Sequence, residues 1–333
     1  MMKRKLSAAL IVGLASTTML AGCSATATAT GPSAGGGSSA KCDAENVTVG
    51  VGPYVDVAPL YLGIENGIFE RHGLAVEAEI ISGGGAALLP SVINGALTFA
   101  YGNVGSLLVA REKTLDVVVV THGSSSPGTG SEQGGLSVAE GSDIRDASDL
   151  EGKVVAVNSV ESLTEVMVRD AVARDGGDPD AVKVVEMKLG DMPAALSAGE
   201  VDAIATFEPF TTIGRQSGAR LISHLFDVTD DGETLIGAYF TSGAYAEECA
   251  DVAAKFAAAM GESLDYAEEN PGEVRTITDT YLELDPAVRD EMAIPKFGSE
   301  LAEDDVQDII DMSLEYGLIK DEVPIDELLW KAE

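Results

Sequence analysis

The residues that could do chemistry are scattered rather than clustered. The three histidines, His72, His122 and His224, lie far apart, and the chain holds no H-E-x-x-H, no C-x-x-C and no complete P-loop. No spacing for a metal centre, a dithiol or nucleotide hydrolysis is therefore present. Gly31-Pro32-Ser33-Ala34-Gly35 has the form G-x-S-x-G, but it lies in a Gly, Ser, Ala and Thr stretch without the strand and helix that a nucleophile elbow needs. Asp227 to Gly232 (DVTDDG) reads as half a calcium loop whose twelfth position is Ala238 rather than Glu, hence as an acidic turn. No catalytic set, cofactor or metal is expected, and the chain is not read as an enzyme.

Polar residues do recur where predicted strands hand over to helices, the edge at which open α/β sheets receive ligands. Tyr54 and Asp56 follow the first strand, with Asp56 fitting either a helix cap or a ligand contact. Gly83, Gly84 and Gly85 precede a helix, where converging N–H groups would suit an oxyanion or simply connect two elements. Asn103 follows another strand, and Ser159, Ser162 and Thr164 stand at a helix start, able to cap it or to meet a ligand. Glu208 ends a strand beside Pro209, as a cap or as an acceptor. His122 and Tyr239 complete the candidate set. No Lys or Arg occurs in 52–58, 82–85, 102–106, 122–134, 158–164 or 206–211. Asp56 and Glu208 thus favour a ligand carrying an amine or ring N–H donors, Glu208 accepting and Tyr54, Tyr101 or Phe207 packing on the apolar part.

The elements that must position these residues follow a repeated grammar. In Asp191 to Phe210 (DMPAALSAGEVDAIATFEPF), Asp191 can cap a short helix, Gly199 can end it in a left-handed conformation, and Val201 to Phe207 is a buried strand. Leu88 to Val104 repeats the pattern with Gly95 as the stop, and Pro90 predicts a kink or irregular start. Asn46 to Val51, Leu74 to Ile81 and Leu115 to Thr121 read as strands of one lobe. Val154 to Val157, Asp180 to Lys188 and Ala219 to Phe226 belong to another. His122 to Gly135 is Gly- and Ser-rich and marks a crossing between lobes or a loop at a cleft mouth; Leu235 to Thr241 returns.

The net charge of −34 would repel a polyanion, which excludes nucleic acid as a partner. A basic leader, Met1 to Lys5, and an apolar run, Leu6 to Leu20, read as an export signal over 1–22. Leu20-Ala21-Gly22-Cys23 resembles a bacterial lipobox, with Cys23 as the acylated residue. Residues 23–42 form a flexible tether, since Gly, Ser, Ala and Thr offer nothing to pack. Export permits a disulfide between Cys42 and Cys249, although sequence does not show that they are close.

Three stretches carry a family resemblance. AALSAGEVDAIATFEPF, PLYLGIENGIFERHGLAVE (Pro59 to Glu77) and LEGKVVAVNSVESLTEVMVRDAV (Leu150 to Val172) are similar to segments of ABC-importer solute-binding proteins of the nitrate, sulfonate, taurine and thiamine-precursor group (NMT1/SsuA-like). The likeness spans Val47 to Pro271. It implies an α/β, two-lobed, type II periplasmic-binding-protein-like fold, each lobe a mostly parallel sheet flanked by helices, joined by a two-segment hinge. Lobe 1 is expected at 43–125 and 237–333 and lobe 2 at 126–236. The implied protein is a monomer, lipid-anchored at the outer face of the cytoplasmic membrane. It would pass a small solute to an ABC permease and its ATPase, with taurine, a sulfonate or a thiamine-type pyrimidine ahead of nitrate. The competing expectations are an enzyme of the same fold acting on a pyrimidine or menaquinone-pathway metabolite, and a solute-sensing input module.

Overall fold

The computed structural model describes residues 42–81, 84–229 and 233–332. The export signal, Cys23, residues 23–41 of the tether and Gly83 lie outside the described residues. Ten strands build two five-stranded sheets. They are β1 (Val47–Val51), β2 (Val76–Ile80), β3 (Phe99–Asn103), β4 (Val117–Ser125), β5 (Gly134–Ala139), β6 (Val154–Val157), β7 (Lys183–Glu186), β8 (Ala203–Phe207), β9 (Ala219–His224) and β10 (Leu235–Ser242). The first sheet has the order β2-β1-β3-β10-β4 and the second β7-β6-β8-β5-β9.

The sheets are mostly parallel, with four of the five strands in each running the same way and one, β10 or β5, running against them. In each, two neighbouring pairs run parallel and two antiparallel. The cause is the crossings: β5 enters the second sheet between β8 and β9, and β10 enters the first between β3 and β4, each arriving from the opposite lobe and running against its neighbours. The two crossing segments touch, with Ser126 N donating to Thr234 O at 2.8 Å and Thr234 Oγ1 to Phe226 O at 2.8 Å.

Local signals explain most elements. Gly199 ends the helix Met192–Ala198 at φ 71°, and the following apolar run forms β8. Asp191 occupies the N-cap position of that helix without a side-chain cap bond, because a 3₁₀ turn over Leu189–Asp191 runs straight into it. Pro90 lies inside the helix Gly84–Ile93. His122 to Ser125, expected in the crossing, continue β4, since β10 extends its ladder as far as Leu235 opposite Ser125. The long helix Ala250–Glu269 buries Phe256, Met260 and Leu264 beneath the first sheet. Cys42 and Cys249 form a disulfide, with Cα atoms 5.3 Å apart, pinning the start of the described chain to the head of that helix. Among the described residues no helix is long and apolar enough to cross a membrane.

Candidate functional site

The carboxyl ends of β1 and β3 in the first sheet face those of β6 and β8 in the second across a cavity. The first sheet's side contributes Tyr54, Asp56, Tyr101, Gly102, Asn103 and, from the start of β10, Ile236, and the second sheet's side Asn158, Leu163, Thr164, Met167, Phe207 and Phe226. About 460 Å³ of atom-free space, part of it open to solvent, lies between them. The walls are largely aromatic and aliphatic. Tyr54 meets Phe207 edge-on across the two lobes, ring centroids 5.5 Å apart. Among the described residues no Lys or Arg lines the cavity.

Asp56 is the cavity's charged group. It sits in the 3₁₀ turn Val55–Val57 after β1 and is 2% exposed. Its Oδ1 accepts from Ser124 Oγ at 2.7 Å, from Gln133 Nε2 at 3.2 Å and from Tyr101 Oη at 3.4 Å. Tyr101 Oη and Ser124 Oγ are themselves 2.7 Å apart, a relay in which each hydroxyl polarises the next. Oδ2 is buried with no partner. Burial raises the Asp56 pKa to about 6, partly offset by its hydrogen-bond donors. Gln133 binds Asp56 from the crossing into the second lobe, while its backbone oxygen accepts Glu208 N at 3.0 Å. Its own Oε1 is buried and unpartnered.

Of the sequence candidates, Tyr54, Asp56, Asn103 and Thr164 converge on the cavity. Thr164 Oγ1 donates to Asn158 Oδ1 at 3.0 Å, and Asn103 caps the helix Val104–Glu112 through Ser106 N at 2.8 Å. The others fall elsewhere. Ser159 and Ser162 spend their hydroxyls on turn carbonyls, Ser162 Oγ reaching Ser159 O at 2.7 Å. Gly84 and Gly85 open the helix Gly84–Ile93. His122, within β4, lies outside the lining, with Nδ1 2.8 Å from Gly298 O and Nε2 2.9 Å from Ser125 Oγ, and burial lowers its pKa to about 4. Tyr239 is fully buried, its ring edge-on to Tyr101.

Glu208 also lies outside the lining. Its Oε1 accepts Thr212 Oγ1 at 2.8 Å and Ala293 N at 3.0 Å, and its Oε2 accepts Thr212 N at 3.1 Å. Burial raises its pKa to about 7. It caps the helix Phe210–Gln216 and ties the second sheet to the C-terminal wrap of the first lobe. Ser124 and Gln133, which hold Asp56 from outside the lining, are the residues that sequence reasoning missed: both sit in a Gly- and Ser-rich stretch with the composition of a plain connector. Among the described residues no cluster of three or more His, Cys, Asp or Glu could hold a metal ion.

Solved structures share this architecture. The ligand-binding component of an ABC-type import system from Staphylococcus aureus, with zinc bound, superposes with a TM-score of 0.74 at 15% identity, covering 86% of this chain and 96% of that one. The alkanesulfonate-binding protein SsuA from Xanthomonas axonopodis pv. citri, bound to MOPS, gives 0.69 at 19% identity, over 86% and 99%. The desulfurization enzyme DSZB gives 0.61 at 15% identity, over 85% and 96%. At such identities the likeness is one of fold, the two-lobed type II periplasmic-binding-protein fold. No curated protein matches the sequence. The family profile described as "NMT1/THI5 like" matches residues 55–274, from the turn that carries Asp56 to the helices behind the first sheet, and the chain belongs to the NMT1/THI5-like family.

Proposed function

We propose that the chain is the extracytoplasmic solute-binding component of an ABC importer. Acylated at Cys23 and held by its tether at the outer face of the cytoplasmic membrane, it works as a monomer. It closes lobe 1 (43–125 and 237–333) and lobe 2 (126–236) around one small organic solute and hands it to a permease driven by its ATPase. The observation that carries this reading is the cavity between the two sheets, lined from both sides. A solute touching both halves gains contacts only when they are together, which is the differential affinity that closure requires.

The lead solutes are taurine or a related sulfonate and a thiamine-type pyrimidine, with nitrate behind them. Aromatic walls suit a ring, and the amino ends of the helices Val104–Glu112 and Leu163–Arg174 meet at the cavity with the partial positive charge that an oxyanion prefers. A thermal-shift screen of the mature protein over sulfonates, taurine, nitrate, pyrimidines and amino acids tests the proposal, because a bound solute raises the melting point by mass action. Silence across the whole screen counts against it. DSZB's place among the structural neighbours keeps one other reading, an enzyme on this fold. Product formation in the same mixtures would establish that one instead.

A further inference from the structure

We infer that Asp56, held from behind by Gln133, is the seat for a nitrogen base, so that the solute presents a nitrogen carrying N–H donors, as a primary ammonium, an amidine or an amino-substituted N-heterocycle does. The inference rests on the solute-binding reading and narrows it. Both side chains are buried, Asp56 at 2% and Gln133 at 0% exposure. Every donor that reaches the Asp56 carboxylate goes to Oδ1, namely the hydroxyls of Ser124 and Tyr101 and the amide of Gln133. Oδ2, on a side chain that lines the cavity, is left as a buried acceptor without a donor, as is Oε1 of Gln133, which stands behind Asp56 outside the lining.

A buried acceptor left unmade costs about 1–3 kcal/mol, and a buried carboxylate without a counter-charge costs more. A ligand that brings N–H groups to Asp56 Oδ2 removes the cost there, and one that is cationic supplies the charge that the lining lacks. A bare anion would instead meet a second negative charge with no cation to offset it. Glu208, the other acid suited by sequence to this role, has both oxygens engaged by Thr212 and Ala293 and lies outside the lining.

Calorimetric titration of the mature protein with matched pairs tests the inference: taurine against 2-hydroxyethanesulfonate, 4-aminopyrimidine against 4-hydroxypyrimidine, and amino acids against the corresponding 2-hydroxy acids. Among the pairs that bind, the amino member is expected to bind about 10- to 100-fold more tightly, the range of a charged hydrogen bond. Asp56→Asn should bring that ratio near one with the circular dichroism spectrum unchanged. In the wild-type protein, N,N,N-trimethyltaurine, which keeps the charge and loses every N–H, should bind at least tenfold more weakly than taurine or not at all. This arm needs no variant to fold. Equal affinities within the pairs, an Asp56→Asn protein that keeps the preference, or binding confined to nitrate and plain alkanesulfonates overturns the inference and leaves the solute-binding reading standing. If no compound in the full screen binds, that reading falls and takes this one with it.

Discussion

The side-chain Oδ1 of Asn103 accepts two backbone N–H groups, that of Ser106 at 2.8 Å and that of Leu163 at 3.3 Å. The first caps the helix Val104–Glu112 in its own lobe, and the second reaches the first residue of Leu163–Arg174 in the other lobe. One amide oxygen thus serves orphan donors of two helices that meet end to end. The approach is close because residue 105 is glycine: a Cβ there would fall 2.9 Å from Leu163 N.

Gly105→Ala should therefore prop the lobes apart at the cavity's edge. Because the obstructing atom is backbone, it cannot swing away as a side-chain tip could. Affinity for whichever solute binds is expected to fall by tenfold or more, with little change in the melting point of the ligand-free protein. Small-angle scattering with saturating solute should show a more open molecule than wild type. An alanine variant that binds and compacts normally would mean the contact does not govern closure.

Glu208 acts on the same closure from the other side of the molecule. Its Ala293 bond joins the second sheet to the wrap of the first lobe, and it caps a helix by accepting Thr212 N while also accepting the Thr212 hydroxyl. Glu208→Ala leaves those N–H groups without their acceptor and should cost about 1–3 kcal/mol of stability in urea unfolding. Its effect on binding should be uniform, weakening amino and hydroxy solutes alike, whereas Asp56 substitutions act on their ratio. Loss of amine selectivity in Glu208→Ala would place Glu208 in the site after all.

Which parts of this were legible in the sequence follows from the range of the interactions. Tyr54, Asp56, Asn103 and Thr164 could be found because strand-to-helix handovers at a sheet's carboxyl edge are local patterns, and all four line the cavity. Gly199 and β8 were equally local. Glu208 was placed correctly at its strand end, but its partner Ala293 is 85 residues away and nothing nearby announces it. Ser124 belongs to a strand only because β10 pairs with it, more than a hundred residues later. Gln133 has no local signal at all: its importance comes from where the crossing carries it.

Cys42 and Cys249 close a span of 207 residues between the start of the described chain and the head of Ala250–Glu269. Constraining so long a segment in the unfolded state is worth about 2–4 kcal/mol on the usual scale for such bridges. Peptide mapping of unreduced protein should recover the two cysteines in one linked species. Reduction, or Cys249→Ser, should lower the melting point measurably without changing solute selectivity, because the bridge lies behind the first sheet and away from the cavity. Recovery of both cysteines as free thiols would remove this tie.

The two buried acids also set the sign of the pH dependence. Both are raised, Asp56 to about 6 and Glu208 to about 7, burial being the main cause. Between the unfolded carboxyl range and these values each of the two acids holds more protons folded than unfolded, so their contribution to stability falls as pH rises through that window, while His122, lowered to about 4, contributes the opposite sign below about 6.5 and by less than the two acids together. For Asp56 the loss is on the order of 2–3 kcal/mol across its interval. The groups facing it, Ser124, Tyr101, Gln133 and the rings of Tyr239 and Tyr281, include no cation that would hold the charge. The ligand-free protein is therefore expected to melt higher at pH 5.5 than at pH 8, with a smaller difference in Asp56→Asn. Affinity for an amine-bearing solute runs the opposite way, strengthening as pH rises through about 6 and Asp56 gains its charge. Crossed trends of this kind, stability falling while amine affinity grows, separate an ionising carboxylate in the cavity from general surface titration, which would move the melting point without touching selectivity. A flat selectivity between pH 5 and 8 would show that Asp56 does not change charge there.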